Sequence, residues 1–121
     1  MKLYYSPGAC SLSPGIRPVW ELEAGDLSID IDVDRSTTTV FSGRTTTAHL
    51  HRPLSELVDY LFHSENFPDG AVLSTGTGIV PEFDFTLAAG DVVRIRIEGL
   101  GELSNPVVVG RDNFGFLAEA R

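Results

Sequence analysis

An α+β fold that is mainly β is predicted by three observations. Leu27, Ile29, Ile31 and Val33 alternate with Ser28, Asp30, Asp32 and Asp34, the period of two of a strand with one buried face. Val93, Ile95 and Ile97 alternate with Arg94, Arg96 and Glu98 in the same way. Between them Leu54, Leu57, Val58 and Leu61 recur at helical spacing, which marks a single amphipathic helix over about 53–65.

Each element has a local reason. Pro7, Gly8, Pro14, Gly15, Pro18 and Gly25 crowd the first 25 residues, allowing a short strand at 1–5 and otherwise turns. After the Asp-rich strand, the Asp34-Arg35-Ser36 corner leads into Thr37–Ser42, and Gly43 into Thr45–Leu50. The β-branched content there predicts a three-stranded meander. Pro53 opens the helix because its fixed φ and missing N–H suit a first turn. Glu56 lies near the positive end of the helix and His63 near the negative end. Pro68-Asp69-Gly70 ends this region, and Ala71–Thr75 reads as the next strand. Gly99-Leu100-Gly101-Glu102 is the corner of a closing hairpin whose last strand, 103–109, carries Asn105-Pro106 at an edge or bulge. The chain divides into an irregular opening segment (1–16), a body (17–109) and a tail (110–121).

Length and composition exclude several classes. The 121 residues, 42% of them hydrophobic, suit one domain. A net charge of −8 repels a phosphate backbone, so nucleic acid is not an expected partner. No apolar run approaches the roughly 20 residues of a membrane span, and the first residues lack the order of a signal peptide. A soluble cytoplasmic protein is the expectation. The single cysteine, Cys10, excludes an internal disulfide and a multi-cysteine zinc site and leaves a reactive thiol open.

The candidate site is the run Thr75-Gly76-Thr77-Gly78-Ile79-Val80-Pro81. A glycine-flanked threonine after a strand offers a hydroxyl and backbone N–H groups to an anion; the plainer reading is an ordinary strand-end turn. Asp30-x-Asp32-x-Asp34 has the opening of a calcium loop, but Arg35 and Phe41 stand where glycine and glutamate are required, so it reads as a wet strand face. His49-x-His51 would share one side of a strand, without a third metal ligand nearby.

The parts quoted so far occur in the order found in one family. Leu12-Ser13-Pro14-Gly15-Ile16, the Asp-rich strand, Thr45-Thr46-Thr47-Ala48-His49-Leu50, the Leu57-Val58-Asp59-Tyr60-Leu61 helix, the Thr-Gly-Thr-Gly-Ile-Val-Pro turn and Gly90-Asp91-Val92-Val93 together resemble the C-terminal part of the fumarylacetoacetate hydrolase superfamily over about residues 10–109. The wording of the turn looks more like the branch acting on 2-oxo-3-deoxy sugar acids, dehydratases included, with acylpyruvate hydrolases as the alternative. The resemblance implies part of a coiled β-roll with a mixed sheet, dimerisation through it, and a 2-oxo acid held by Thr77 with Gly76 and Gly78.

It further implies Mg²⁺ or Mn²⁺ on a Glu-x-Glu pair and an Asp, which would polarise the 2-oxo acid. Those ligands precede the first matched segment. Glu21-Leu22-Glu23 copies the spacing but falls downstream of Pro14-Gly15-Ile16, where solvated loop acids are expected. Lys2-Leu3-Tyr4 is loosely similar to the family's lysine setting, which makes Lys2 the candidate catalytic lysine. Two readings follow: a metal-dependent hydrolase or lyase portion that needs its N-terminal half or a second copy, or a truncated or recombined remnant serving as a binding or oligomerisation module. With its metal ligands missing, the isolated chain is expected to bind no metal and to be inactive.

Residues 1–14 also look like the opening of β-class glutathione transferases, in which positions matching Tyr5, Cys10 and Ser11 lie beside glutathione and a helix terminus can activate the thiol. That likeness stops at about Ile16, and the overlap at Cys10–Pro14 suggests a junction of two coding sequences.

Overall fold

The computed structural model describes residues 10–110. The expected strand at 1–5, Lys2, Tyr5 and the tail beyond Gly110 lie outside them. Among the described residues four strands form one antiparallel sheet: β1 (Ser28–Arg35), β2 (Thr38–Thr46), β3 (Val92–Ile97) and β4 (Gly101–Pro106), in the spatial order β2-β1-β3-β4. The mixed sheet implied by the family resemblance is represented here by antiparallel pairs alone.

The two alternating segments form the centre of the sheet. β1 and β3 pair Ile29 with Ile97, Ile31 with Ile95 and Val33 with Val93, so one face is a continuous aliphatic surface. The opposite face carries acids from β1 and arginines from its neighbours. Arg44 Nε meets Asp30 at 2.6 Å, Arg96 pairs with Asp32 and Arg94 with Asp34. Arg96 Nη1 also reaches Glu102 at 3.3 Å. The Asp triplet, expected as a wet strand face, is a row of ion pairs with arginines of the neighbouring strands.

The expected meander is a two-stranded hairpin. β2 runs unbroken from Thr38 to Thr46 through Gly43, and the segment expected as a third strand is a short 3-10 turn, Thr47–His49. Thr47 N–H donates to the Leu27 carbonyl at 3.0 Å, and Leu27 N–H donates to Thr47 Oγ1 at 2.8 Å. These two bonds fasten the end of β2 to the start of β1 and turn the chain away. At the other end Ser36, in the two-residue loop between Arg35 and Thr38, has φ 56, a positive value of the kind tight hairpin turns use. Ala71–Thr75 forms no ladder; its apolar, β-branched character matches a strand, but none of the strands among the described residues pairs with it.

The helix, α1 (Leu54–Phe62), is shorter than expected by about a turn. Pro53 is its cap, and Phe62 stacks edge-on against Phe67 at 5.6 Å, drawing the chain back before Glu65. None of its residues is buried. Among the described residues, the buried apolar side chains are Leu27 and Val33, so there is little deep core beneath the sheet.

The closing hairpin turns over 98–100, so β4 begins two residues earlier than expected and ends at Pro106 on the sheet edge, three residues short of 109. Gly99 has φ 74, and a Cβ there would lie 2.8 Å from Leu22 Cδ1. Gly99→Ala is expected to cost about 1–2 kcal/mol for the left-handed backbone alone. A lower urea midpoint with an unchanged slope would be the readout.

Candidate functional site

The segment after Gly70 crosses the aliphatic face of the sheet and closes a cleft of about 490 Å³. Ile29, Ile31, Ile95 and Ile97 line it from β1 and β3, while Thr45 and the Thr75–Ile79 turn stand over them. The turn approaches β2 closely because two glycines permit it. A Cβ on Gly43 would be 2.6 Å from Ile79 Cγ2, and one on Gly78 would be 3.1 Å from Thr45 Oγ1.

Thr77 folds onto its own turn. Ile79 N–H donates to Thr77 Oγ1 at 3.1 Å, and the Thr77 hydroxyl donates to the Ile79 carbonyl at 3.2 Å. Gly76 has φ 90, the left-handed conformation needed to present this turn. Among the described residues, no group accepts a hydrogen bond from Gly76 or Gly78 N–H. The turn thus offers two backbone donors and a hydroxyl that can rotate from Ile79 to a ligand oxygen.

Glu21 and Glu23 do not line this cleft. Glu21 is in the 18–22 turn, 3.9 Å from Arg17 and exposed, as expected of loop acids. Cys10 is an exposed free thiol, and Ser11 Oγ donates to Asn105 Oδ1 at 2.8 Å, at the edge of the sheet. His49 and His51 both line the cleft, although the strand expected to carry them is the 3-10 turn and the linker to α1. Thr45 Oγ1 is 3.3 Å from His49 Nδ1. Strand geometry for His49-x-His51 hides this placement from the sequence. The signal available is the threonine run beside them, an unusual density of hydroxyls at the end of a strand.

A second constellation anchors the chain that returns from the turn to the sheet. Asp91 is fully buried and accepts two hydrogen bonds from Arg35, Nε to Oδ1 at 2.8 Å and Nη2 to Oδ2 at 2.9 Å. Ala88 N–H adds a third at 2.8 Å, and Arg35 Nη2 also donates to the Thr86 carbonyl. The Arg35 guanidinium, followed by the Ala88 N–H, holds the Asp91 carboxyl down at about 2. Arg96, then Ser42, lowers the Asp32 carboxyl in the same way.

Magnesium takes oxygen ligands in an octahedron, with one or two carboxylates among them. Among the described residues, no three His, Cys, Asp or Glu side chains are grouped to hold an ion, and Asp30, Asp32, Asp34 and Asp91 are each engaged by arginine. These residues do not fit a divalent cation. Among them, too, no helix is long and apolar enough to cross a membrane.

Comparison with known proteins bears on the family and the fold. A model of the fumarylacetoacetate (FAA) hydrolase C-terminal domain matches residues 3–108. A probable 2-keto-3-deoxyxylonate dehydratase of Haloferax volcanii is 36% identical over 99 residues, 81% of this chain and 34% of the relative. The 2-dehydro-3-deoxy-D-arabinonate dehydratase of Saccharolobus solfataricus is 35% identical over 101 residues, 83% of this chain and 34% of the relative. The chain therefore spans about a third of the length of the curated relatives it matches. A 2-keto-3-deoxyarabinonate dehydratase in a hexagonal crystal form superposes with a TM-score of 0.84 at 33% identity, over 89% of this chain and 38% of that one. A 2-keto-3-deoxy-D-arabinonate dehydratase complexed with magnesium and 2,5-dioxopentanoate gives a TM-score of 0.68 at 35% identity, over 71% of this chain and 31% of that one. With the domain match running through most of its residues, and the fold agreeing with these structures, the chain belongs to the fumarylacetoacetate hydrolase family.

Proposed function

We propose that this chain is the substrate-holding portion of a dehydratase acting on 2-keto-3-deoxy sugar acids. The observation that carries the reading is the Thr75–Ile79 turn, whose Gly76, Thr77 and Gly78 line a cleft with an aliphatic floor and whose two glycine N–H groups have no acceptor among the described residues. A carboxylate placed there accepts from all three donors. The turn is exposed above the aliphatic floor, so its bonds to a carboxylate compete with water and gain from being charge-assisted. Both curated relatives are named as dehydratases of such acids, which favours this substrate class over acylpyruvates. The role assigned to the described residues is to bind and orient. A cation serving the reaction would draw its ligands from outside them.

Titration of the whole chain with a 2-keto-3-deoxy pentonate in a calorimeter tests the reading. Saturable binding is expected for the native chain. Thr77→Val should weaken it about 10-fold or more, in line with the roughly 1.5–3 kcal/mol of a hydrogen bond to a charged group, while Thr77→Ser retains most of it. Equal affinity in the native and Thr77→Val chains, both folded by circular dichroism, would remove the anion-holding role.

A further inference from the structure

The cleft contains more hydrogen-bonding groups than a carboxylate cradle uses. Besides the turn, Thr46, Thr47 and the Thr45–His49 pair line it, and no Asp, Glu, Lys or Arg among the described residues does. A wall of hydroxyls and imidazole without fixed charge matches a ligand whose remaining atoms are neutral and hydroxylated. We propose that His49, oriented by Thr45, is a specificity residue that reads the hydroxyl-bearing carbons of the ligand whose carboxylate the Thr77 turn holds. The inference rests on the function proposed above and adds the group that selects among 2-oxo acids.

Thr45 is placed to serve both halves of the cleft. Its Oγ1 is 3.3 Å from His49 Nδ1, and the turn approaches the same oxygen through Gly78. When the Thr45 hydroxyl donates to Nδ1, a neutral imidazole carries its proton on Nε2 and keeps that N–H as a donor. A ligand hydroxyl can accept from it and donate in turn to a neighbouring threonine. A ligand without that hydroxyl leaves the exposed ring to water, so the preference comes from the bonds that the hydroxylated ligand gains at the ring and its neighbouring threonine.

Affinities of the whole chain for a 2-keto-3-deoxy pentonate and for 2-oxopentanoate, which lacks the hydroxyls, give the test. The native chain should prefer the hydroxylated acid by about 10-fold or more. His49→Phe should abolish the preference by weakening the hydroxylated acid alone. Thr45→Val should reduce it and Thr45→Ser restore it, a rescue that a purely structural role for Thr45 in the sheet would not show. If the Phe substitution prevents folding, His49→Gln provides the same comparison with a smaller perturbation. A preference that survives loss of the imidazole, or equal binding of both acids by the native chain, overturns the inference while leaving the carboxylate cradle in place. Binding of neither acid by the native chain overturns the proposed function and this inference with it.

Discussion

Arg35→Met is expected to leave the chain without a cooperative urea transition at pH 7, as followed by circular dichroism. Asp91 is shut away from water, and Arg35 supplies two of the hydrogen bonds that its carboxylate receives. Methionine fills part of the space but leaves a buried anion with only the Ala88 N–H, and an uncompensated buried charge is among the largest single losses a fold can suffer. A domain with only Leu27 and Val33 buried among its described apolar side chains has little else to offset it. Acid should act on the same pair. The folded carboxyl titrates at about 2 against an ordinary 3.8, so its contribution is fully present above 3.8 and is lost as pH falls from there through about 2. Asp32 is lowered too and shares this acid limb, so Asp91→Asn should flatten the limb without removing it. An unaltered transition in Arg35→Met at pH 7 would show that the pair does not hold the sheet together.

Gly43→Val is expected to separate folding from binding: the sheet persists and affinity for a 2-keto-3-deoxy pentonate falls below detection. The new Cβ would stand 2.6 Å from Ile79 Cγ2 and 3.4 Å from both Ile31 Cγ2 and Phe41 Cζ. Ile79 is β-branched and stiff at its first torsion, so Cγ2 cannot retreat without moving the backbone. That backbone provides both hydrogen-bond partners of the Thr77 hydroxyl. Strain at a β2 position is therefore passed to the turn. The stability cost should stay near the 1–3 kcal/mol, roughly, of an overpacked site, with Gly43→Ala intermediate in both respects. Retained affinity in a folded Gly43→Val chain would show that the turn does not depend on its seat against β2.

The sheet was legible where a side-chain period could be counted. Leu27 to Val33 and Val93 to Ile97 announce their own burial, and the short Gly99 corner follows from glycine in a tight turn. Partnership was less legible. Ala71–Thr75 has the residues of a strand, yet a strand exists only when a second one lies beside it, and no local pattern states that. Arg35 and Asp91 are 56 residues apart; each reads alone as a surface charge, and only the fold joins them. The Thr77 turn was visible as glycine-flanked threonine, whereas His49 entered the cleft through a 3-10 turn produced by hydrogen bonds between Leu27 and Thr47, a contact between distant positions.

The arginine row has a consequence for how β1 and β3 find one another. Their aligned positions are Asp30 with Arg96 and Asp32 with Arg94, but the ion pairs form one step along, Arg96 to Asp32 and Arg94 to Asp34. Two combs with equally spaced teeth engage as well after sliding by one tooth, so Coulomb attraction alone would accept a neighbouring alignment. The Arg35–Asp91 clasp has no counterpart one tooth away, and it acts as the index pin that selects a single setting.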